Sequence, residues 1–326
     1  MVEKHYGAID GLRAIAAVGI VMMHVAANNS YDISGFVYET IIPSLTNFVF
    51  LFMVISAFGM CSGYYEKILQ NKISLSEFYL RRFQKIMPFF VVLVLLDVLI
   101  SPSVNSLYEM FADLTLMFGF LPDAGNISVI GVGWFLGLIF VFYVCFPFFC
   151  FLIENRRRAW LAFLVSILYN IACSIYFQVG RTNILYCACF FLAGGLIYLY
   201  RAEIGRWNRW LVLGAVAAAV VLYYMIGGNT GTWLLVSAIL LIYAMISNGK
   251  VLQNRITKSI SGISMEIYLS HMIIFRVAEK INLNTIIGDG WVQYVFTVAV
   301  VFTGAGIFAV TVQRFINIFI KKWSIR

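Results

Sequence analysis

Residues 6–28 read YGAIDGLRAIAAVGIVMMHVAAN, an apolar run interrupted by Asp10, Arg13 and His24. A helix needs about 20 residues to cross the hydrocarbon of a bilayer, and this run is long enough. Ionisable groups inside a span are costly and mark functional positions. Their spacing here is helical. Arg13 and His24 are eleven residues apart, which at 100° per residue is about 20° beyond three full turns. They share one face, separated by roughly 16 Å of axial rise. Asp10 lies about one turn before Arg13 and within about 40° of that face. Two readings of this stripe stand side by side. Asp10 and Arg13 are interfacial anchors and His24 a packed core histidine, or the three belong to one site.

The rest of the chain repeats the apolar pattern. Of its 326 residues 62% are hydrophobic and 12% charged, roughly half the charged share of a soluble domain. Counting the first, ten runs are expected to be helical spans, at 8–28, 41–64, 84–104, 131–153, 159–177, 183–200, 209–227, 231–248, 261–279 and 291–319. They are spread evenly, so the expectation is an all-α polytopic membrane protein, one bundle of about ten transmembrane helices over residues 1–326, with no soluble extracytoplasmic domain. The stretch 105–121, NSLYEMFADLTLMFGFL, is too polar to span and too apolar for a free loop. A re-entrant or interfacial segment is the expectation there. The N-terminus lacks the pattern of a cleavable signal, so the first span is expected to be retained.

Lysine and arginine set the orientation. With the N-terminus in the cytoplasm and strict alternation, 23 basic residues divide unequally. All fall on cytoplasmic segments except Arg181, Arg276 and Lys280 outside and Arg314 within the last span. The outer segment after the third span is acidic, with Glu109, Asp113 and Asp123. Both termini are then cytoplasmic. The formal charge of +8 therefore belongs to the inner membrane surface, and no nucleic-acid partner is expected. Cys61, Cys145, Cys150, Cys173, Cys187 and Cys189 all lie in apolar runs with no CxxC, which predicts neither disulfides nor a metal site.

Five segments, in order, give the chain a family likeness. AIDGLRAIAAVGIVMMH, residues 8–24, resembles the N-terminal signature of the acyltransferase family 3 membrane proteins, in which an arginine, ten residues and a histidine open the first span. NFVFLFMVISAF, residues 47–58, is similar to that family's second-span run. FYLRRFQKIMP, residues 78–88, is similar to its basic segment before the third span. Gly133, Trp134, Phe135 and Leu136, with Tyr143 and Pro147, resemble its Trp-rich fourth-span motif, and ISMEIYLSH, residues 263–271, its late Ser-Tyr-x-Ile-Tyr-Leu-x-His run. There are departures: Ile139 and Phe140 stand where many members carry glutamates, and Lys85 where arginine is usual.

The resemblance implies an O-acyltransferase of a bacterial cytoplasmic membrane. Its donor would be acyl-CoA, by default acetyl-CoA, and its acceptor a hydroxyl of an extracytoplasmic carbohydrate or lipid-linked glycan. His24 would be the catalytic base, since neutral imidazole removes a hydroxyl proton well near pH 7. Asp10 and Arg13 would fix its surroundings. Arg81, Arg82 and Lys85 would meet the CoA phosphates, a polyanion that basic side chains attract, although the positive-inside pattern alone also accounts for them. Trp134, Tyr268, His271 and Glu266 are the candidate substrate-binding residues. Ser56 and Cys61 are conceivable covalent carriers, Asp97 is a further acid within a span, and His5 precedes the first span. A glycan or lipid-precursor flippase, or a non-catalytic sensing domain, would also explain many spans with a few buried charges.

Overall fold

The computed structural model describes residues 6–100, 102–120, 131–247 and 249–323. Lys4, His5, Asp123 and Arg326 lie outside the described residues, as do the side chains of Lys321 and Lys322. All the regular structure described is helical. We number the principal helices α1 (Gly7–Ala27), α2 (Val37–Leu69), α3 (Leu75–Ile100), α4 (Val104–Thr115), α5 (Trp134–Ile153), α6 (Arg156–Ile175), α7 (Ile184–Leu199), α8 (Arg209–Met225), α9 (Thr230–Ile246), α10 (Arg255–Gly262), α11 (Ser264–Lys280) and α12 (Trp291–Trp323).

Every expected apolar run is helical, but the lengths differ. Six helices, α1, α2, α3, α5, α6 and α12, are long and apolar enough to cross a membrane, and a seventh span results if α10 and α11 are counted together. Helices α7, α8 and α9 have 16, 17 and 17 residues. At 1.5 Å per residue they fall a few ångströms short of a hydrocarbon core of about 30 Å. The expected ten is thus six or seven by length and composition. A second difference lies in the run 261–279, expected as one straight span: α10 and α11 meet at Ile263 with a bend of 70°. The expected re-entrant or interfacial stretch is α4, capped by the Ser103 hydroxyl on the Ser106 amide, with a short 3-10 turn after it.

The outer helices show what surrounds them. Only 22% of the apolar window of α6 and of α12 is buried, against 61% for α1, α2 and α5. Their outward faces carry large apolar side chains such as Leu168 and Ile175 on α6 and Phe315 and Ile318 on α12. Lipid solvates such faces at no cost, so the composition that excludes a soluble fold is what this arrangement uses.

Helix α1 is the hub. It packs against α2, α9, α10, α11 and α12, and its buried positions are small or branched: Ala8, Gly11, Ala14, Ala16, Ala17, Gly19, Ile20 and Val21. Small residues let backbones approach in membrane helices. At Gly11 the approach is closest, since a Cβ there would run into the Leu252 carbonyl. Gly194 plays the same part where α7 crosses α2, its missing Cβ leaving room for the Val54 carbonyl. The polar stripe of α1 is thereby held inside the bundle instead of facing lipid.

Candidate active site

Arg13, in the α1 stripe, opens into a cavity of about 210 Å³. Arg13, Arg82, Lys85, Ser56, Tyr143 and Glu266 are among its lining. The bend at Ile263 is what shapes it: Ser261 and Gly262 end α10 at the cavity wall, and Ser264, Met265 and Glu266 begin α11 there. The opening turn of a helix presents unsatisfied N–H groups and the positive end of its dipole. That turn and three cations give the cavity the character of an anion site.

Two of the cations, Arg13 and Arg82, have defined partners. Arg13 lies 3.7 Å from Asp10, and the Asp10 carboxylate accepts a 2.7 Å hydrogen bond from the Ser261 hydroxyl. Arg82 donates to the Tyr64 hydroxyl at 2.6 Å and sits 4.6 Å over that ring. Tyr64 is carried by a π-helical segment, Cys61–Tyr65, a distortion common at functional positions. Glu266 is buried and accepts from the Gln313 amide at 2.7 Å. Arg81 is not part of the lining. It lies on the exposed side of α3 and pairs with Glu77 one turn before it. Beyond Arg82 and Tyr143, which line both, a second and mostly apolar cavity of about 630 Å³ runs between α3 and α5 along Tyr79, Phe83, Ile86 and Phe140.

The deep wall of the cationic cavity is aromatic, with Phe52, Phe135 and Tyr268. The Phe135 and Tyr268 rings meet edge to face at 5.3 Å, and the Tyr268 hydroxyl donates to the Val132 carbonyl at 3.0 Å. One turn further along α11 stands His271, which is fully buried. Its ring centroid is 4.8 Å from that of His24. The Nδ1 of His24 is 3.0 Å from the Ile20 carbonyl and the Nδ1 of His271 is 2.6 Å from the Tyr268 carbonyl. A carbonyl oxygen only accepts, so in both rings Nδ1 carries a proton, and in the neutral imidazole the lone pair is then on Nε2. The Nε2 of His271 has no hydrogen-bond partner among the described residues. The site therefore offers two imidazole lone pairs, either of them able to take a proton or a hydrogen bond.

The end of α1 that carries His24 is pinned. The Tyr294 hydroxyl donates to the Met22 carbonyl at 3.0 Å, Tyr31 donates to Thr297 at 2.9 Å, and Asn284 donates to Asn29 at 2.7 Å. These bonds tie α1 and its following loop to α12 and to the α11–α12 connection. At the same end Trp134, the first residue of α5, lies under the Arg181 guanidinium at 5.4 Å.

The sequence-predicted residues thus fall into two groups along one axis. Asp10, Arg13, Arg82, Lys85 and Glu266 gather at the cavity, while His24 and His271 form a pair beyond its aromatic wall. Tyr268 belongs to both, with its ring in the wall and its carbonyl on His271. Trp134 stands beyond the pair and Arg81 outside. Sequence reasoning missed Tyr64, Ser261 and Gln313, which hold Arg82, Asp10 and Glu266. Their signal is weak because each is a common residue whose partner is distant in the chain. Arg181 left a clearer trace, as a basic residue on the wrong side of the charge pattern.

No curated protein and no solved structure matches the chain significantly. The family model described as an acyltransferase domain, that of acyltransferase family 3, matches residues 6–310. With nearly its whole helical bundle covered by that match, the chain belongs to acyltransferase family 3 and is a membrane acyltransferase.

Proposed function

We propose that the protein transfers an acyl group, acetyl by default, from cytoplasmic acyl-CoA to a hydroxyl of an extracytoplasmic or lipid-linked glycan, with His24 as the general base. One observation carries the reading: a single helix, α1, delivers Arg13 to a cationic cavity and His24 to a buried imidazole pair. In this reading the CoA phosphates sit among Arg13, Arg82, Lys85 and the first turn of α11, where charge-assisted hydrogen bonds are strong. The pantetheine arm then passes the Phe135–Tyr268 wall towards the histidines. This accounts for the roughly 16 Å of rise between Arg13 and His24, because donor anchor and reacting carbon are separated by the length of that arm.

The chemistry assigns each atom a place. His24 Nε2 takes the hydroxyl proton as the acceptor oxygen bonds to the thioester carbon. The C–S bond then breaks, and the sulfur leaves as thiolate and receives the proton from the His24 imidazolium. General-base assistance of this kind contributes about 10²–10⁴-fold. Ten crossings, with both termini in the cytoplasm, belong to the same proposal: α7, α8 and α9 cross where the bilayer is locally thin, a mismatch that costs fractions of a kcal/mol per ångström. That orientation puts the cationic cavity towards cytoplasmic CoA and the histidine pair towards the outer half.

Replacing Arg82 and Lys85 together by glutamine should raise the KM for acyl-CoA about tenfold or more while lowering kcat much less, because charge-assisted contacts to the donor are lost outside the reacting atoms. Initial rates of CoA thiol release by the purified protein measure this. An unchanged KM returns both residues to topology alone. A protein that moves a glycan lipid without consuming thioester would instead be a flippase.

A further inference from the structure

The outer end of the bundle holds a cation that the proposed chemistry does not use. Arg181 lies in the connection between α6 and α7, half-buried. One of its nitrogens, Nη1, donates to the Thr46 hydroxyl at 2.6 Å, and its guanidinium rests 5.4 Å over the Trp134 ring. Among the described residues it forms no ion pair with a carboxylate, whereas Arg13, Arg81, Arg156, Arg158 and Arg201 each do. A guanidinium has five donors in a planar fork, and Thr46 takes one.

The backbone adds to the positive field. Helix α5 begins at Trp134, the residue under the guanidinium, and α7 begins three residues after Arg181. The Tyr186 and Thr230 hydroxyls, near the starts of α7 and α9, are hydrogen-bonded to one another. The starts of α5 and α7, each the positive end of a dipole, therefore lie beside one arginine, and the Tyr186–Thr230 bond joins the start of α9 to that of α7. From Trp134 the ring contacts run to Phe135 at 6.1 Å and on to Tyr268 at 5.3 Å, whose carbonyl holds His271, so an unbroken set of contacts joins Arg181 to the histidine pair. The comparison with Arg82 is direct. Both guanidiniums rest on an aromatic ring without a carboxylate in an ion pair among the described residues, and they stand at opposite ends of the same bundle.

We propose that Arg181, positioned by Thr46 and Trp134, binds an anionic group of the acceptor, a phosphate or a carboxylate, and so selects acidic acceptors over neutral ones. The inference rests on the acyl-transfer reading for calling its ligand the acceptor. Holding a net positive, partly desolvated cluster in a membrane bundle is costly unless an anion completes it. A planar fork on an aromatic face recognises phosphate and carboxylate geometry well. The site assigns a substrate class to the outer end, where the inner cavity serves the donor.

The test uses the full-length protein in nanodiscs of uncharged lipid, with two matched pairs of probes. Undecaprenyl phosphate against undecaprenol presents a lipid-linked phosphate. Methyl glucuronide against methyl glucoside presents a sugar carboxylate. Equilibrium binding is measured for wild type, Arg181→Gln and Arg181→Lys, and acyl-CoA binding is measured separately. The expected result is that wild type binds the charged member of one pair about tenfold or more tightly than the neutral member. Arg181→Gln should abolish that preference without changing affinity for the neutral probe or for acyl-CoA, and Arg181→Lys should retain part of it. The pair that discriminates identifies phosphate or carboxylate as the source. No preference in wild type for either pair, or a loss in Arg181→Gln that is equal for charged and neutral probes, overturns the proposal. Failure of wild type to bind acyl-CoA overturns the acyl-transfer reading instead, whatever the anion preference.

Discussion

At the scale of single residues, most of the candidate chemistry was legible because ionisable groups are conspicuous in an apolar chain. His24, Arg13 and Asp10 stood out by type and by their common helix face, and Glu266 by its position in a span. The partners of these groups were not legible. Nothing in the sequence around Gln313 announces Glu266, and nothing around Ser261 announces Asp10, since the contacts join residues 47 and 251 positions apart. The cationic cavity has a sensitive neighbour of the same hidden kind. A Cβ on Gly59 would come within 3.2 Å of an Arg13 guanidinium nitrogen, and a branched side chain would need that space outright. Gly59→Val should therefore push Arg13 from the cavity and raise the acyl-CoA KM severalfold. The check is a comparison of KM with the melting temperature of the purified variant. A KM that stays at the wild-type value in a folded protein would show that Arg13 has no part in donor binding.

At the scale of elements, hydrophobic periodicity located the helices well and their ends less well. Ten apolar runs correspond to helices because a run of this kind has no other stable form in lipid. The bend at Ile263 was missed because no proline marks it. The only local trace is Gly262 among serines, and that pattern is common. Yet the bend forms the cavity wall, so it matters more to the site than the helix ends do. Helix α1 permits a sharper test. The proposed function requires Arg13 and His24 to share a face, and one extra residue between them rotates one against the other by 100°. Insertion of a single alanine after Val18 should abolish acyl transfer while the protein still inserts in the membrane, and Gly11→Leu should weaken folding itself by about 1–3 kcal/mol through collision with the Leu252 carbonyl. Activity assays on membranes normalised for protein content check the first expectation, and thermal melts check the second. An active insertion variant would mean that the stripe is not a functional unit.

At the scale of the whole molecule, the bundle lays out a path along α1. Cations and a helix N-terminus lie at one end, two imidazoles lie beyond an aromatic wall, and an arginine on a tryptophan closes the other end. Charge bias along the chain foreshadowed this polarity, because Arg181 was an exception to it. Which helices surround α1 was not foreshadowed, since packing partners in lipid are chosen by small residues such as Gly11 and Gly194 whose spacing carries no address. The proposed function makes one chemical claim above the others: proton removal by His24 at the far end of a donor held by Arg13, Arg82 and Lys85. The most direct measurement is acyl-CoA-dependent CoA release by purified His24→Ala, beside wild type, in vesicles containing the host's lipid and glycan extract. The account predicts a fall of about 10²–10⁴-fold in turnover with acyl-CoA binding unchanged. Turnover equal to that of wild type would contradict it.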